Sequence, residues 1–187
     1  MRKAVFVFLF LVLASVLTLG QLGLPAQIQF IFTADSHYGL TRPAFRGATN
    51  VDAHVVNAAM IAKMNSLPGD TLPADGGLRS GQRVGPIDFL VDGGDIANRE
   101  EAGERPIQSA AASWAQFRSD YLSDLTLFDW MHRKSAVYVV PGNHDASNAV
   151  GYHKPMMPRI DKTSMAEIFN LMMKPSPPKT EDSYNYV

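Results

Sequence analysis

The sequence predicts an α/β domain built on a parallel sheet, and three observations carry that expectation. Short apolar, β-branched runs recur at residues 28–33, 87–91 and 136–140, each ending in a polar cluster, as buried strands read. Amphipathic helical patterns fill the stretches between them. The order strand, helix, strand, helix, strand calls for parallel strands joined by right-handed crossovers.

The elements follow in order. Arg2 and Lys3 precede an apolar run from Ala4 to Leu13 that continues past Ser15 and Thr18 to Leu19. Residues 1–20 therefore read as a signal peptide: the run is about 16 residues, short of the ~20 a spanning helix needs, and Thr18 and Gly20 offer a cleavage site before Gln21. An uncleaved anchor and a cut after Ala26 are the alternatives. The first strand, 28–33, leads to a helix on which Val55, Val56, Ala59, Met60 and Met64 share a face and which Asn50 or Asp52 could cap. A Gly/Pro-rich stretch at 67–86 is longer than a compact connection requires, which marks it as functional or mobile.

The second strand, 87–91, precedes a longer helix with Ala110, Trp114, Phe117, Tyr121, Leu125 and Phe128 on one face. It is expected to end at His132, Arg133 and Lys134, cations suited to the negative end of the helix dipole. After the third strand, 136–140, Ser164 and Glu167 form a capping box for a last helix carrying Ile168, Phe169, Leu171 and Met172. Pro175, Pro177 and Pro178 stop it, and residues 183–187 read as the start of another strand.

Composition narrows the class. The chain of 187 residues has 46% hydrophobic and 19% charged residues, with Lys+Arg 17 against Asp+Glu 18. No basic excess speaks for nucleic acid as a partner. With Cys 0 there are no disulfides and no lipid anchor through cysteine. No stable membrane span is expected once the leader is removed.

Each strand ends in metal-ligand types: Asp35, Ser36 and His37; Asp92, Gly93, Gly94 and Asp95; Gly142, Asn143, His144 and Asp145. In an open parallel sheet, ligands bind beyond the carboxyl ends of the strands, so the three clusters should meet in one crevice. Asp35 and His37 are two apart on extended backbone and point the same way. Gly93 and Gly94 allow a sharp turn that leaves the Asp95 carboxylate free to reach an ion or bridge two. Any one of these residues alone is as well read as a turn residue; the ordered set reads as a metal site. Asp92 reads as a supporting group behind the ligands. His54 reads as a surface or packing residue, Arg99 as a solvated loop charge, and His153 as too close to the third cluster to be a ligand. A Rossmann-type nucleotide site is excluded because no Gly-x-Gly-x-x-Gly follows the first strand.

The ordered set, Asp-x-His, Gly-Asp and Gly-Asn-His-Asp, resembles the calcineurin-like metallophosphoesterase family, which includes protein phosphatases, cyclic-nucleotide phosphodiesterases, nucleotidases and purple acid phosphatases. The resemblance covers residues 28–145, and Gly-Asn-His-Asp is its most specific part. It implies the first half of an α/β/β/α sandwich over residues 27–187. It also implies a dinuclear centre of Mn, Fe or Zn, with Asp35 and His37 on one metal, Asp95 bridging and Asn143 on the second. A bridging hydroxide would attack a small phosphoester, with His144 facing the leaving group and Asp145 orienting it. Ile96, Ala97 and Asn98 after the second motif depart from the purple acid phosphatases, where a Tyr follows. The family's later Gly-His and Gly-His-x-His motifs have no counterpart after Asp145. The resemblance thus implies an exported phosphoesterase whose domain is C-terminally incomplete; the alternative is a truncated, inactive chain that binds at most one divalent ion.

The leader generates the first prediction. N-terminal sequencing of exported material should begin near Gln21, and recovery of Met1 in a membrane fraction would count against it.

Overall fold

A computed structural model describes residues 27–97, 108–146 and 162–180. The leader, Arg99, His153 and the expected strand at 183–187 lie outside the described residues. Strands β1 (Phe30–Thr33), β4 (Phe89–Asp92) and β5 (Ala136–Val139) form a parallel sheet in the order β1-β4-β5. Its register aligns Phe30, Phe89 and Ala136 at one end and Thr33, Asp92 and Val139 at the other. The coarse expectation of an α/β chain with a parallel sheet is met.

Helix α1 (Ala53–Ser66) joins the first strand to the second. Helix α2 (Ala110–Phe117), its π-helical extension Arg118–Asp124 and helix α4 (Lys162–Met173) pack with it around one core. Helix α3 (Asn143–Ala146) is a single short turn. Leu90 and Val139 face these helices and are buried with Ile61, Trp114, Phe117, Tyr121 and Ile168. Because side chains alternate along a strand, the opposite face carries Phe30, Phe89 and Tyr138, whose rings touch at centroid distances of 5.2 and 5.8 Å. Phe30 and Phe32 are 54% and 67% exposed there.

Several local expectations are corrected. Helix α1 buries Ala53, Asn57, Ile61 and Met64, while Val55 is exposed. Met64 is buried and Met60 packs against the core as expected, but a polar residue shares the inward stripe because Asn57 Nδ2 donates to Ser36 O at 2.9 Å. The cap is Asp52, whose carboxylate accepts from His54 N at 2.7 Å; Asn50 instead lies in an unexpected hairpin. That hairpin pairs β2 (Thr41–Phe45) with β3 (Ala48–Asp52), turning at Arg46 and Gly47, both at positive φ.

The second long helix ends at Asp124. Its last turns widen into a π-helix, and Trp114, Phe117, Tyr121 and Leu125 are buried on the expected face with Asp120 beside them. His132 and Arg133 lie in a turn closed by Asp129, which accepts from Met131 N and Arg133 N at 2.8 Å; they do not meet a helix end. Ser164 is not a cap either, since it is buried within α4 and accepts from Trp114 Nε1 at 2.9 Å, while Glu167 pairs with Arg118. The stretch 67–86 is tied to itself, with Leu72 N donating to Gln82 O and Val84 N to Asp70 O, both at 2.8 Å. No helix among the described residues is long and apolar enough to cross a membrane.

The reassigned Ser164 is testable. Ser164→Ala leaves the buried Trp114 indole N–H without that acceptor and should cost about 1–3 kcal/mol, whereas Glu167→Gln weakens a partly exposed pair worth at most about 1 kcal/mol. Urea titration of both variants checks the order; a larger loss from Glu167→Gln would show that the pair with Arg118, and not the Trp114 contact, holds α4.

Candidate functional site

The parallel register places the carboxyl ends of β1, β4 and β5 side by side, and backbone pairing continues past them. Gly93 N donates to Thr33 O at 2.7 Å, and Val140 N to Asp92 O at 3.0 Å. Asp35 N then donates to Gly94 O, His37 N to Asp95 O and Tyr38 N to Ile96 O, at 2.9, 2.9 and 2.8 Å. The first and second motifs are thus joined by their own main chains.

The third motif is fastened by Asp145. Its buried carboxylate accepts from Asp95 N at 2.7 Å, Ile96 N at 3.1 Å, Ala97 N at 3.1 Å and Gly142 N at 3.1 Å. Burial pushes its carboxyl above the ordinary range, and these four N–H groups oppose the rise. Asp145 thereby holds, through the backbone, the turn from which His144 projects. His144 N in turn donates to Asp95 Oδ1 at 2.9 Å.

Of the six expected site residues, His37, Asp95 and His144 are brought together, with ligand atoms all within 4.8 Å of one another. The His37 and His144 rings meet edge to face at 4.6 Å. Asp35 flanks the group, its Oδ1 3.4 Å from His37 Nε2 and its side chain 68% exposed. Asn143 opens α3 and is exposed, and Asp145 lies beneath. Imidazole and carboxylate donors suit Mn, Fe or Zn. His37 Nδ1 is buried without a hydrogen-bond partner, as a donor atom awaiting a cation would be.

The backbone here is held in unusual conformations. Asp35, His37 and Asp95 have φ of 59°, 45° and 58°, a region non-glycine residues enter at a cost of order 1–3 kcal/mol and which gathers at functional sites. Gly94, at φ 95°, allows close approach to the next strand end: a Cβ there would stand 2.7 Å from Val140 O and overlap Gly142.

Asp92 was read from sequence as a supporting group, and its carboxylate is fully buried behind the cluster, with Oδ1 accepting from Gly94 N at 2.9 Å and Oδ2 unpartnered. Burial pushes its carboxyl from 3.8 up to about 7, the charges of Asp145, Asp35 and Asp95 add to the rise, and the Gly94 N–H opposes it. Two features went unread. Buried Asp120 accepts from Tyr38 OH at 2.7 Å and lies 3.1 Å from His54 Nδ1, a network no local pattern announces. Arg42, on the unexpected hairpin, reaches the first motif by donating from Nη2 to Asp35 O at 3.2 Å; Arg46-Gly47 was the turn signal that could have found it.

Asp92 generates a pH prediction for the chain in EDTA. The folded carboxyl keeps its proton up to about pH 7 while the unfolded one loses it near 3.8, so the folded state binds more protons between those values and stability falls as pH rises through them. Asp92→Asn should flatten that slope in denaturant titrations at several pH values; an unchanged slope would show that Asp92 is not the group concerned. No protein-family model, curated protein or solved structure matches this chain, so the functional reading stands on the motifs and this geometry.

Proposed function

We propose that the chain is an exported, metal-dependent phosphoesterase of the calcineurin-like type that hydrolyses a small phosphoester. The observation that carries this reading is the convergence of His37, Asp95 and His144, each from a different strand end, to within 4.8 Å. Asp35, His37, Asp95 and Asn143 are the proposed holders of the two ions.

When bound, the ions supply Lewis acidity and activate water for in-line displacement at phosphorus. The protein's own part is positioning and proton movement. Asp95, held by backbone contacts on both sides, presents its carboxylate between the first and third motifs. His144, edge-on to His37, is near enough to the same point to protonate a departing oxygen from its imidazolium form. Asp145 fixes the distance between the two by gripping both turns at once.

A second reading, a chain that binds one ion and hydrolyses nothing, is favoured by a specific observation. Among the described residues, His, Asp and Glu side chains gather into a single such group.

Calorimetric titration of the full chain with Mn²⁺ or Zn²⁺, together with hydrolysis of aryl phosphate mono- and diesters, separates the readings. Asp92→Asn should weaken metal binding by about 10-fold, as removal of a supporting group does, and Asp95→Asn by more. His144→Ala should leave metal affinity nearly intact and lower turnover by about 10²–10⁴-fold. One ion without turnover selects the second reading, and no metal uptake defeats both. Metal loss in His144→Ala would make that histidine a ligand; equal losses from the two aspartate variants would mean the bridge is misassigned.

A further inference from the structure

We infer that Arg42 is the anion-binding residue of this site, its guanidinium taking the non-bridging oxygens of the substrate's phosphoryl group. The inference rests on the phosphoesterase reading and deepens it. Hairpin β2–β3 is closed at its base where Ala53 N donates to Leu40 O at 2.8 Å, so it springs directly from the first motif and returns to the start of α1. None of its strand residues is buried. An element that contributes nothing to the core is not explained by stability, and exposed loops on a rigid scaffold are where binding residues concentrate.

Arg42 stands at the second position of β2, opposite Val51. It spends one donor on Asp35 O at 3.2 Å, and among the described residues it forms no ion pair with a carboxylate. Arg46, at the tip, lies over its neighbour Phe45 at 5.0 Å. The groups around the cluster include the carboxylates of Asp35 and Asp95, which repel a phosphoryl anion. A planar guanidinium with further N–H donors, fixed beside the first motif, offsets that repulsion and matches two phosphoryl oxygens at once. Because a monoester dianion carries one more negative charge than a diester, a lone arginine favours the monoester.

The test measures binding of inorganic phosphate to the full chain, with and without Mn²⁺, by calorimetry, alongside Mn²⁺ affinity itself. Arg42→Ala should weaken phosphate binding by about 10- to 100-fold, Arg42→Lys less, and Arg46→Ala hardly at all, with Mn²⁺ affinity unchanged in all three. Unchanged phosphate affinity in Arg42→Ala overturns the inference. So does a matching fall in Mn²⁺ affinity, which would make Arg42 a brace for Asp35. If the parent takes up no Mn²⁺ yet binds phosphate through Arg42, the anion site stands and the metal reading falls. If it binds neither, both fall. Circular dichroism of each variant confirms that the fold persists.

Discussion

The site depends on one carboxylate whose oxygens are spent on main-chain amides. Asp145 bonds three successive N–H groups, of Asp95, Ile96 and Ala97, and reaches back to Gly142 in its own turn. These hydrogen bonds oppose, without cancelling, the burial that raises its carboxyl. Remove that anchor and the turns after β4 and β5 lose their four-fold tie, leaving the contact from His144 N to the Asp95 carboxylate among those that hold them together. Side-chain geometry at the cluster is therefore a consequence of main-chain geometry beneath it.

The same grip explains the strain. Asp35, His37 and Asp95 sit at positive φ, and such conformations persist only where surrounding contacts over-determine them. Here they are over-determined, because Asp35 N, His37 N and Tyr38 N all donate to the second motif. Gly94 and Gly142 then become a matter of space as well as conformation, since a Cβ on either would overlap the neighbouring turn. Three turns are packed closer than side chains would permit, and donor atoms carried by three strand ends reach one point as a result.

Much of this was legible in the sequence, for a physical reason. Parallel strands buried by helices are continuous apolar runs, and strands at 28–33, 87–91 and 136–140 were expected where β1, β4 and β5 are found, within two residues at either end. Ligand types at their carboxyl ends followed from the rule that crevices form there. What was not legible depended on partners distant in sequence. Asn57 on the inward face of α1 is explained only by Ser36 O, and Ser164 only by the Trp114 indole. The π-helical turn was not legible because the buried Trp114, Phe117 and Tyr121 keep the three- and four-residue spacing of an ordinary α-helix. The hairpin went unread because its strands bury nothing and so carry no apolar alternation.

The electrostatics point the same way as the geometry. Asp92 and Asp145 are fully buried, Asp95 adjoins both, and Asp35 stands at the rim. Four acidic groups so close destabilise one another, and a fold selected for stability alone would have no use for Asp92, whose Oδ2 has no partner and whose carboxyl is pushed up to about 7. On the proposed reading, a multivalent cation held by Asp35, His37 and Asp95 would remove the conflict, because its field favours ionised carboxylates and reverses the local pKa logic. Binding energy of that kind is also folding energy. On the same reading, the mutual repulsion of these carboxylates would be the source of affinity for a cation, and Arg42 on the neighbouring hairpin would offset it for an approaching phosphoryl anion.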